Sequence, residues 1–407
     1  MRTYLRACPA RRLPPLRLLS SLDTNTRSRL AKNILCYPTR SLNIPSTPRI
    51  RIPIPMPAET PPSAASHGTK SSKPARASKK PPPREPPPAR PSASVLLISP
   101  QNHILLLHRV KTSSAFAAAH VFPGGNLDAY HDGSIPEPPD ERRHQDSEAY
   151  RFAAIRETFE ESGILLARHK DDEPGSLLQL SDHERDEGRK LVHSRKVKFL
   201  DWLKSKDGIP NVEGLTPFTR WVTPQTQPKR FSAQMYVYFL PLAAKDNTAS
   251  ELLHAQQEAV IPVPTHDGGI EHTAARFAPP SAWIDQAVKG EIILITPQFT
   301  LLSLIAPFLS PSDTSSAASS DLQAQRDQLK QFIHSGDLPW TEKCISPVQL
   351  MQRQSDGLLV LALDKPGLEL RGTDRRGEMD RVVVLRNSRN VKLAWRKDVL
   401  AEERGKL

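Results

Sequence analysis

Cysteine is almost missing from this chain. There are three in 407 residues, Cys8, Cys36 and Cys344, and none stands at metal-ligand spacing. That excludes a disulfide framework and a thiolate zinc site, and it is the usage of a reducing compartment. Long apolar runs are missing too. The longest uncharged run, Ile292 to Ser312, is interrupted by Pro297, Gln298, Pro307 and Pro311, so it reads as a buried strand and helix and no membrane span is expected. No repeat of fixed period is present. Acids are lacking at the N-terminus: residues 1–92 hold 18 Lys and Arg against Asp23, Glu59 and Glu85.

The overall charge of +12 is therefore a property of the tail, which carries +15 and leaves −3 on residues 93–407. A slightly acidic body has no basic field to hold a nucleic acid, so the high pI of 9.7 is no sign of nucleic-acid binding. The same 92 residues hold 19 of the 40 prolines, a composition that cannot bury enough apolar surface to offset chain entropy. Residues 1–91 are expected to be a disordered basic tail, with a folded body from about Ser92. Within the tail, residues 1–55 have 11 Lys and Arg, one acid and interleaved leucines, the composition of a mitochondrial transit peptide. A plain basic extension, or a chain starting at Met56, fits as well. Residues 56–91 read as a Pro/Lys/Ser linker. The chain ends in Gly405-Lys406-Leu407, one residue away from the Ser-Lys-Leu peroxisomal address, so mitochondrial, peroxisomal and cytosolic locations all stay open.

From Ala93 the pattern changes. Ser94–Ile98 and Ile104–His108 are short β-rich runs around a turn, a hairpin signal, and Phe122-Pro123-Gly124-Gly125 is a second turn. A polar, proline-bearing stretch to Ser147 reads as an inserted loop over residues 126–147. A helix follows, with Ser147 as N-cap, Phe152, Ile155 and Phe159 at helical spacing, and Gly163 as its stop. Further on, Leu191–Lys204 reads as a helix and Phe231–Leu242 as a strand. Thr273–Phe277 reads as a strand, Ser281–Val288 as a helix, Asp313–Asp321 as a loop and Leu322–Ile333 as a helix. Leu358–Leu363, Arg381–Leu385 and Val391–Trp395 form a terminal set of strands. The fold class is α/β with a mixed sheet, in which residues 309–407 form a C-terminal α+β extension of open role.

The helix after the insertion carries the chemistry. At about 100° per residue, Glu160 and Glu161 lie within about 60° of Glu157, while Phe152, Ile155 and Phe159 fall on the opposite face. Carboxylates crowded on one face repel one another, so the face either is solvated or carries a compensating cation. All-oxygen donors suit Mg²⁺ or Mn²⁺, ions that work with phosphate substrates.

Here a family pattern emerges. Glu148, seven residues, then Arg156-Glu157-Thr158-Phe159-Glu160-Glu161-Ser162-Gly163-Ile164 resembles the larger part of the Nudix box, Glu-x7-Arg-Glu-U-x-Glu-Glu-x-Gly-U, where U is apolar. The glycine that opens the box, separated from its first Glu by five residues, is replaced by Arg142, and Gly125 takes its place only if 17 residues are inserted. Such an insertion is similar to the inserted-box acyl-coenzyme A diphosphatase subfamily, the nucleoside diphosphate-linked moiety X motif 19 type. Thr223-Pro224, Pro228-Lys229-Arg230-Phe231, Gly290-Glu291-Ile292 and Pro297-Gln298-Phe299 agree with it. The resemblance spans about residues 93–308, a Nudix hydrolase domain from residue 92.

The resemblance implies an α/β/α sandwich and Mg²⁺- or Mn²⁺-dependent hydrolysis of a diphosphate in a nucleoside diphosphate derivative, with coenzyme A or acyl-coenzyme A first among substrates. Hydrolysis of ADP-ribose, NADH or dinucleotides is the near alternative, and a Nudix-fold binding module with weak turnover a further one. It implies Glu157, Glu160, Glu161 and the Gly125 carbonyl as metal ligands. Arg156 pairs with a box carboxylate, and Glu148 acts behind the ligands. Glu157 is a candidate base by analogy, and Glu271 is either a second candidate or a surface acid. Arg230, Lys229 and Arg109, with Lys111, are candidates to hold substrate phosphates. Trp221, Tyr236 and Phe299 either stack a purine or belong to the core. Oligomeric state is open.

Overall fold

The computed structural model describes residues 86–110, 117–172, 176–242, 272–309 and 319–405, apart from 365, 366, 368 and 370–372. The tail through residue 85, Lys111, Glu271, most of the loop after Pro311, and Lys406 and Leu407 lie outside the described residues.

Strand β1 (Arg90–Ile98) is the centre of a mixed sheet. It pairs antiparallel with β2 (Ile104–Arg109) through Ile98 and Ile104, the hairpin that the β-rich runs announce. On its other side it runs parallel to β8 (Phe231–Phe239) over nine residue pairs. β3 (Ala119–Val121), β9 (His272–Ala278) and β10 (Ile293–Leu294) extend the β2 side, β7 (Thr216–Val222) and β11 (Cys344–Ile345) the β8 side, and β4 (Gly124–Asn126) pairs with β1. A small ladder of β5 (Ala167–His169) and β6 (Gly208–Pro210) stands apart.

β1 is buried along almost its whole length because both faces of the sheet are covered. Ala93, Val95 and Leu97 point into one core, shared with Tyr150, Ala153, Ala154 and Phe159 of α2 (Glu148–Ser162) and with Phe199, Trp202 and Leu203 of a later helix. Leu96 and Ile98 point into the other. There they meet Trp283 of α5 (Pro280–Lys289), Leu301 and Leu302 of α6 (Thr296–Ile305), and Leu329 and Ile333 of α7 (Ser319–His334). The strand period of two thus sorts one sequence run into two cores, giving an α/β/α arrangement.

Between α2 and β7, the run Leu191–Lys204 is not one helix. α3 (Asp182–His193) starts at a capping box of Ser181 and Glu184, and α4 (Phe199–Lys204) follows a break at Ser194–Lys198, where Arg195 takes a positive φ of 55°. A single helical period runs through both pieces, so periodicity alone does not reveal the break. Residues 319–405 are part of the same compact unit as the sheet. β11 joins the sheet, and β12 (Val348–Gln352), β13 (Leu359–Leu363), β14 (Glu378–Arg386) and β15 (Arg389–Trp395) form an antiparallel meander. The meander is followed by α8 (Arg396–Arg404), and Leu363, Val383 and Leu385 enter the core of the main sheet.

Arg326 ties α7 down. It is 4% exposed and donates to Asn102 Oδ1 at 2.8 Å, Ser99 O at 2.8 Å and Leu240 O at 2.7 Å, closing the β1–β2 turn against α7. Burial lowers its pKa to about 10 without removing its charge at neutral pH. Arg326→Ala strands three buried acceptors, so chemical denaturation is expected to show a loss of about 2–4 kcal/mol.

Candidate active site

The site is built on α2. Ser147 precedes the helix in extended conformation, and Gly163 ends it at φ 77°, a left-handed position that L residues with side chains adopt only at a cost. The apolar side of α2 packs on β1, which turns Glu157, Glu160 and Glu161 toward the rim formed by β4 and α3. β4 is short and consists of Gly124, Gly125 and Asn126 in register with Ser94, Ala93 and Ser92.

Glu157 and Glu160 share Arg156, and Glu161 is held separately. Glu161 Oε2 accepts from the Gly124 N–H at 2.8 Å, and its Oε1 lies 3.7 Å from His272 Nε2 at the first residue of β9. Glu160 Oε1 accepts from Arg156 Nη1 at 3.0 Å, while Oε2 shares a hydrogen bond of 3.1 Å with His193 Nδ1 of α3. Glu157 Oε1 accepts from Arg156 Nη1 at 2.8 Å, and among the described residues its Oε2 accepts nothing. The Glu157 carboxylate lies against Gly125 so closely that a Cβ there would stand 2.4 Å from its Cδ. Gly125→Ala therefore pushes that carboxylate aside. The expected result is a folded protein with kcat lowered about 100-fold, on the scale that misplacing a site group costs.

Arg156 is the hub. It is 4% exposed and forms a two-pronged pair with Asp132, Nε to Oδ1 and Nη2 to Oδ2, both at 2.9 Å. Nη2 also donates to Asn126 O at 3.0 Å. Burial works against its charge, but Glu157, Asp132 and Glu160 outweigh that and hold its pKa well above the usual value. Asp132 belongs to α1 (Ala129–Asp132), a single helical turn inside the inserted segment.

Three carboxylates, Asp132, Glu157 and Glu160, therefore face one guanidinium, with Glu161 beside them, and the surplus is negative. Burial, helped by Glu160 and Asp132 and opposed by Arg156, raises the Glu157 pKa to about 7. Burial also raises Asp132. At Glu160 burial pushes upward, but His193 and Arg156 prevail and the pKa is lowered. A divalent cation fits this surplus in charge and in donor type, because every candidate ligand is an oxygen. The convergence is incomplete: among the described residues no three His, Cys, Asp or Glu side chains gather closely enough to hold a metal ion. Arg156 and the Gly124 N–H hold the positions that a shared cation would relieve.

Other candidates lie differently. Glu148 is exposed on the first turn of α2, nine residues before Glu157, or about 13 Å along the axis, and the structure does not bring it to the other carboxylates. Arg230 is 3% exposed and spent on the fold: Nη1 pairs with Glu369 at 2.5 Å and donates to Pro87 O at 2.9 Å, and Nε donates to Thr223 O at 3.2 Å. Its charge is matched by a carboxylate of the C-terminal segment, which no local pattern announces, so it is not open to a substrate phosphate. Lys229 is exposed on the turn before β8. Arg109 ends β2 half-buried, and its register partner is His272, whose Nε2 lies 3.7 Å from Glu161 Oε1. Trp221, Tyr236 and Phe299 are core residues, 3%, 0% and 1% exposed. Sequence reasoning missed Asp132, His193 and His272. Asp132 is one acid among several in the insertion, and neither histidine stands at a motif spacing.

The box and the sheet it packs on resemble a Nudix domain. Residues 137–303 match the family model described as the NUDT19 Nudix domain, a span that starts after Gly125, so the glycine turn is joined to the box by the tertiary structure. The chain is 25% identical over 251 residues to the human acyl-coenzyme A diphosphatase NUDT19, covering 52% of this chain and 62% of that protein. It is 26% identical over 188 residues to the protein of the same name from Xenopus laevis, covering 35% and 50%. A crystal structure of a NUDIX hydrolase from Alicyclobacillus acidocaldarius covers 57% of this chain and 96% of its own, at 20% identity and a TM-score of 0.39. The chain spans about half to three-fifths of the length of these curated relatives.

Proposed function

We propose that this chain hydrolyses the diphosphate linkage of a nucleoside diphosphate derivative in the presence of Mg²⁺ or Mn²⁺, with coenzyme A or acyl-coenzyme A as the first substrate class. The observation that carries the reading is the buried surplus of carboxylate around Glu157, beside the glycine turn. Two relatives named acyl-coenzyme A diphosphatase support the choice of substrate.

In this reading Glu157, Glu160, Glu161 and the Gly125 carbonyl would hold the divalent ion, which when bound would neutralise the phosphate oxygens and favour a nucleophilic water. Water adds to one phosphorus, the P–O bond of the bridge breaks, and two phosphomonoesters leave with one proton released. The chain's own part is to keep oxygens of opposite demand apart. Arg156 holds one oxygen of Glu157 and one of Glu160, the Gly124 N–H holds Glu161, and the packing of α2 on β1 keeps the set from relaxing into solvent. Glu157 or Glu271 takes the proton, and Arg109 is the candidate to meet a substrate phosphate. No helix among the described residues is long and apolar enough to cross a membrane, and residues 93–407 carry a net charge of −3.

The alternative of a binding module with weak turnover draws on Arg142 and the insertion. Contact between Gly125 and Glu157 weighs against it, because the insertion leaves the glycine turn beside the box. The test is a panel of coenzyme A, acyl-coenzyme A, ADP-ribose, NADH and dinucleoside polyphosphates, incubated with the full chain and Mg²⁺ or Mn²⁺ and read by mass spectrometry. Coenzyme A is expected to give two monophosphates, with loss of turnover in EDTA. Cleavage of ADP-ribose or NADH alone reassigns the substrate, and no cleavage of any compound ends the enzyme reading.

A further inference from the structure

The insertion that splits the box is not a bystander. α1 is fixed at three points: Asp128 caps it by accepting from Tyr130 N at 2.9 Å, His131 Nδ1 accepts from Phe199 N at 3.1 Å, and Asp132 Oδ2 accepts from Asp128 N at 2.8 Å. Those contacts leave the Asp132 side chain with no exposed surface, both oxygens on the Nε–Nη2 edge of Arg156. That edge is the one with which a guanidinium grips a carboxylate by two parallel bonds.

We infer that Asp132 is a positioning residue for the diphosphatase reaction: by saturating the two-pronged edge of Arg156 it keeps Glu157 to a single hydrogen bond, so that Glu157 Oε2 stays available to a divalent cation. Arg156 then reaches the box carboxylates only through Nη1, which bridges Glu157 Oε1 at 2.8 Å and Glu160 Oε1 at 3.0 Å. With Asp132 neutralised, Nη2 keeps only the Asn126 carbonyl, and the guanidinium can turn to clamp Glu157 or Glu160 with both arms, in direct competition with the cation. The insertion thus supplies a fourth carboxylate that is no ligand itself and governs how the others are shared. This inference rests on the diphosphatase reading for its kinetic arm only.

The experiment compares the full wild-type chain with Asp132→Asn, Asp132→Glu and His131→Ala. Mn²⁺ affinity is measured by electron paramagnetic resonance, kcat and KM on coenzyme A by product analysis, and stability by thermal unfolding. Asp132→Asn is expected to bind Mn²⁺ about 10- to 100-fold more weakly and to lose kcat on the same scale, with KM changed less than about threefold. Asp132→Glu, which keeps the charge one methylene further out, is expected between the two. His131→Ala removes the anchor to Phe199 without touching Arg156, and is expected to lower the unfolding midpoint while keeping Mn²⁺ affinity within about threefold. Wild-type Mn²⁺ affinity in Asp132→Asn overturns the inference, as does an equal loss in His131→Ala, which would reduce Asp132 to a docking contact. If Asp132→Asn does not fold, Asp132→Glu decides: an intermediate affinity supports positioning and a wild-type affinity overturns it. A wild-type chain that binds Mn²⁺ but cleaves no diphosphate defeats the proposed activity and leaves Asp132 to the affinity measurement. A chain that binds no Mn²⁺ defeats the inference.

Discussion

Glu157→Gln is expected to lower kcat about a thousandfold or more, equivalent to about 4 kcal/mol or more of transition-state stabilisation, without unfolding the protein. Glu160→Gln and Glu161→Gln are expected to do the same. The stability arm separates this outcome from simple damage. The folded pKa of Glu157, about 7, lies above its ordinary value of 4.5. In the metal-free protein its contribution is therefore fully present below about pH 4.5 and is lost as pH rises through 7. Calorimetry without divalent ions should show wild type losing stability across that window, and Glu157→Gln, which carries no ionisable group there, losing less. A Gln variant that keeps full turnover would remove Glu157 from the site, and one that melts early at every pH would mark it as structural.

Arg156→Met has the largest expected effect on stability. It leaves Asp132, Glu157 and Glu160 around an apolar side chain in a place that is 4% exposed, and breaking a buried pair by removing one partner costs about 3–5 kcal/mol. A divalent cation should recover part of that loss by binding the folded state, with a gain that rises with concentration. Denaturation with and without Mg²⁺ reads both quantities. If Mg²⁺ stabilises wild type and leaves Arg156→Met unaffected, the carboxylates do not form a cation site without the arginine. If Arg156→Met is as stable as wild type, Arg156 is not the hub that its contacts describe.

The part of the site that was legible in the sequence is the part held by one helix. Glu157, Glu160 and Glu161 share a face because helical pitch is fixed by backbone hydrogen bonds, and Phe159 and Ile155 name the opposite side without any knowledge of what they pack against. The hairpin, the end of α2 at Gly163 and the helix before Gly290 were legible for the same reason, since turn and C-cap chemistry acts within a few residues, whereas Ser147 precedes α2 without a side-chain cap hydrogen bond. Arg230 shows the limit. Its setting before a strand is a local fact, whereas the Glu369 that neutralises it is 139 positions away and reaches it only through the fold of the C-terminal segment.

What the sequence by itself determined is a basic, proline-rich tail, an α/β body and a helix whose carboxylates cannot be left uncompensated. Those follow from composition and from periods that act at short range. Only the tertiary structure decided that Gly125 stands beside Glu157 despite the insertion, that Asp132 takes the outer edge of Arg156, that His193 and His272 reach Glu160 and Glu161, and that residues 319–405 complete the sheet and its core. The reason is physical. A buried charge is settled by whichever opposite charge or dipole the packing brings within about 3 Å, and that distance is fixed by sheet register and helix docking, not by spacing along the chain.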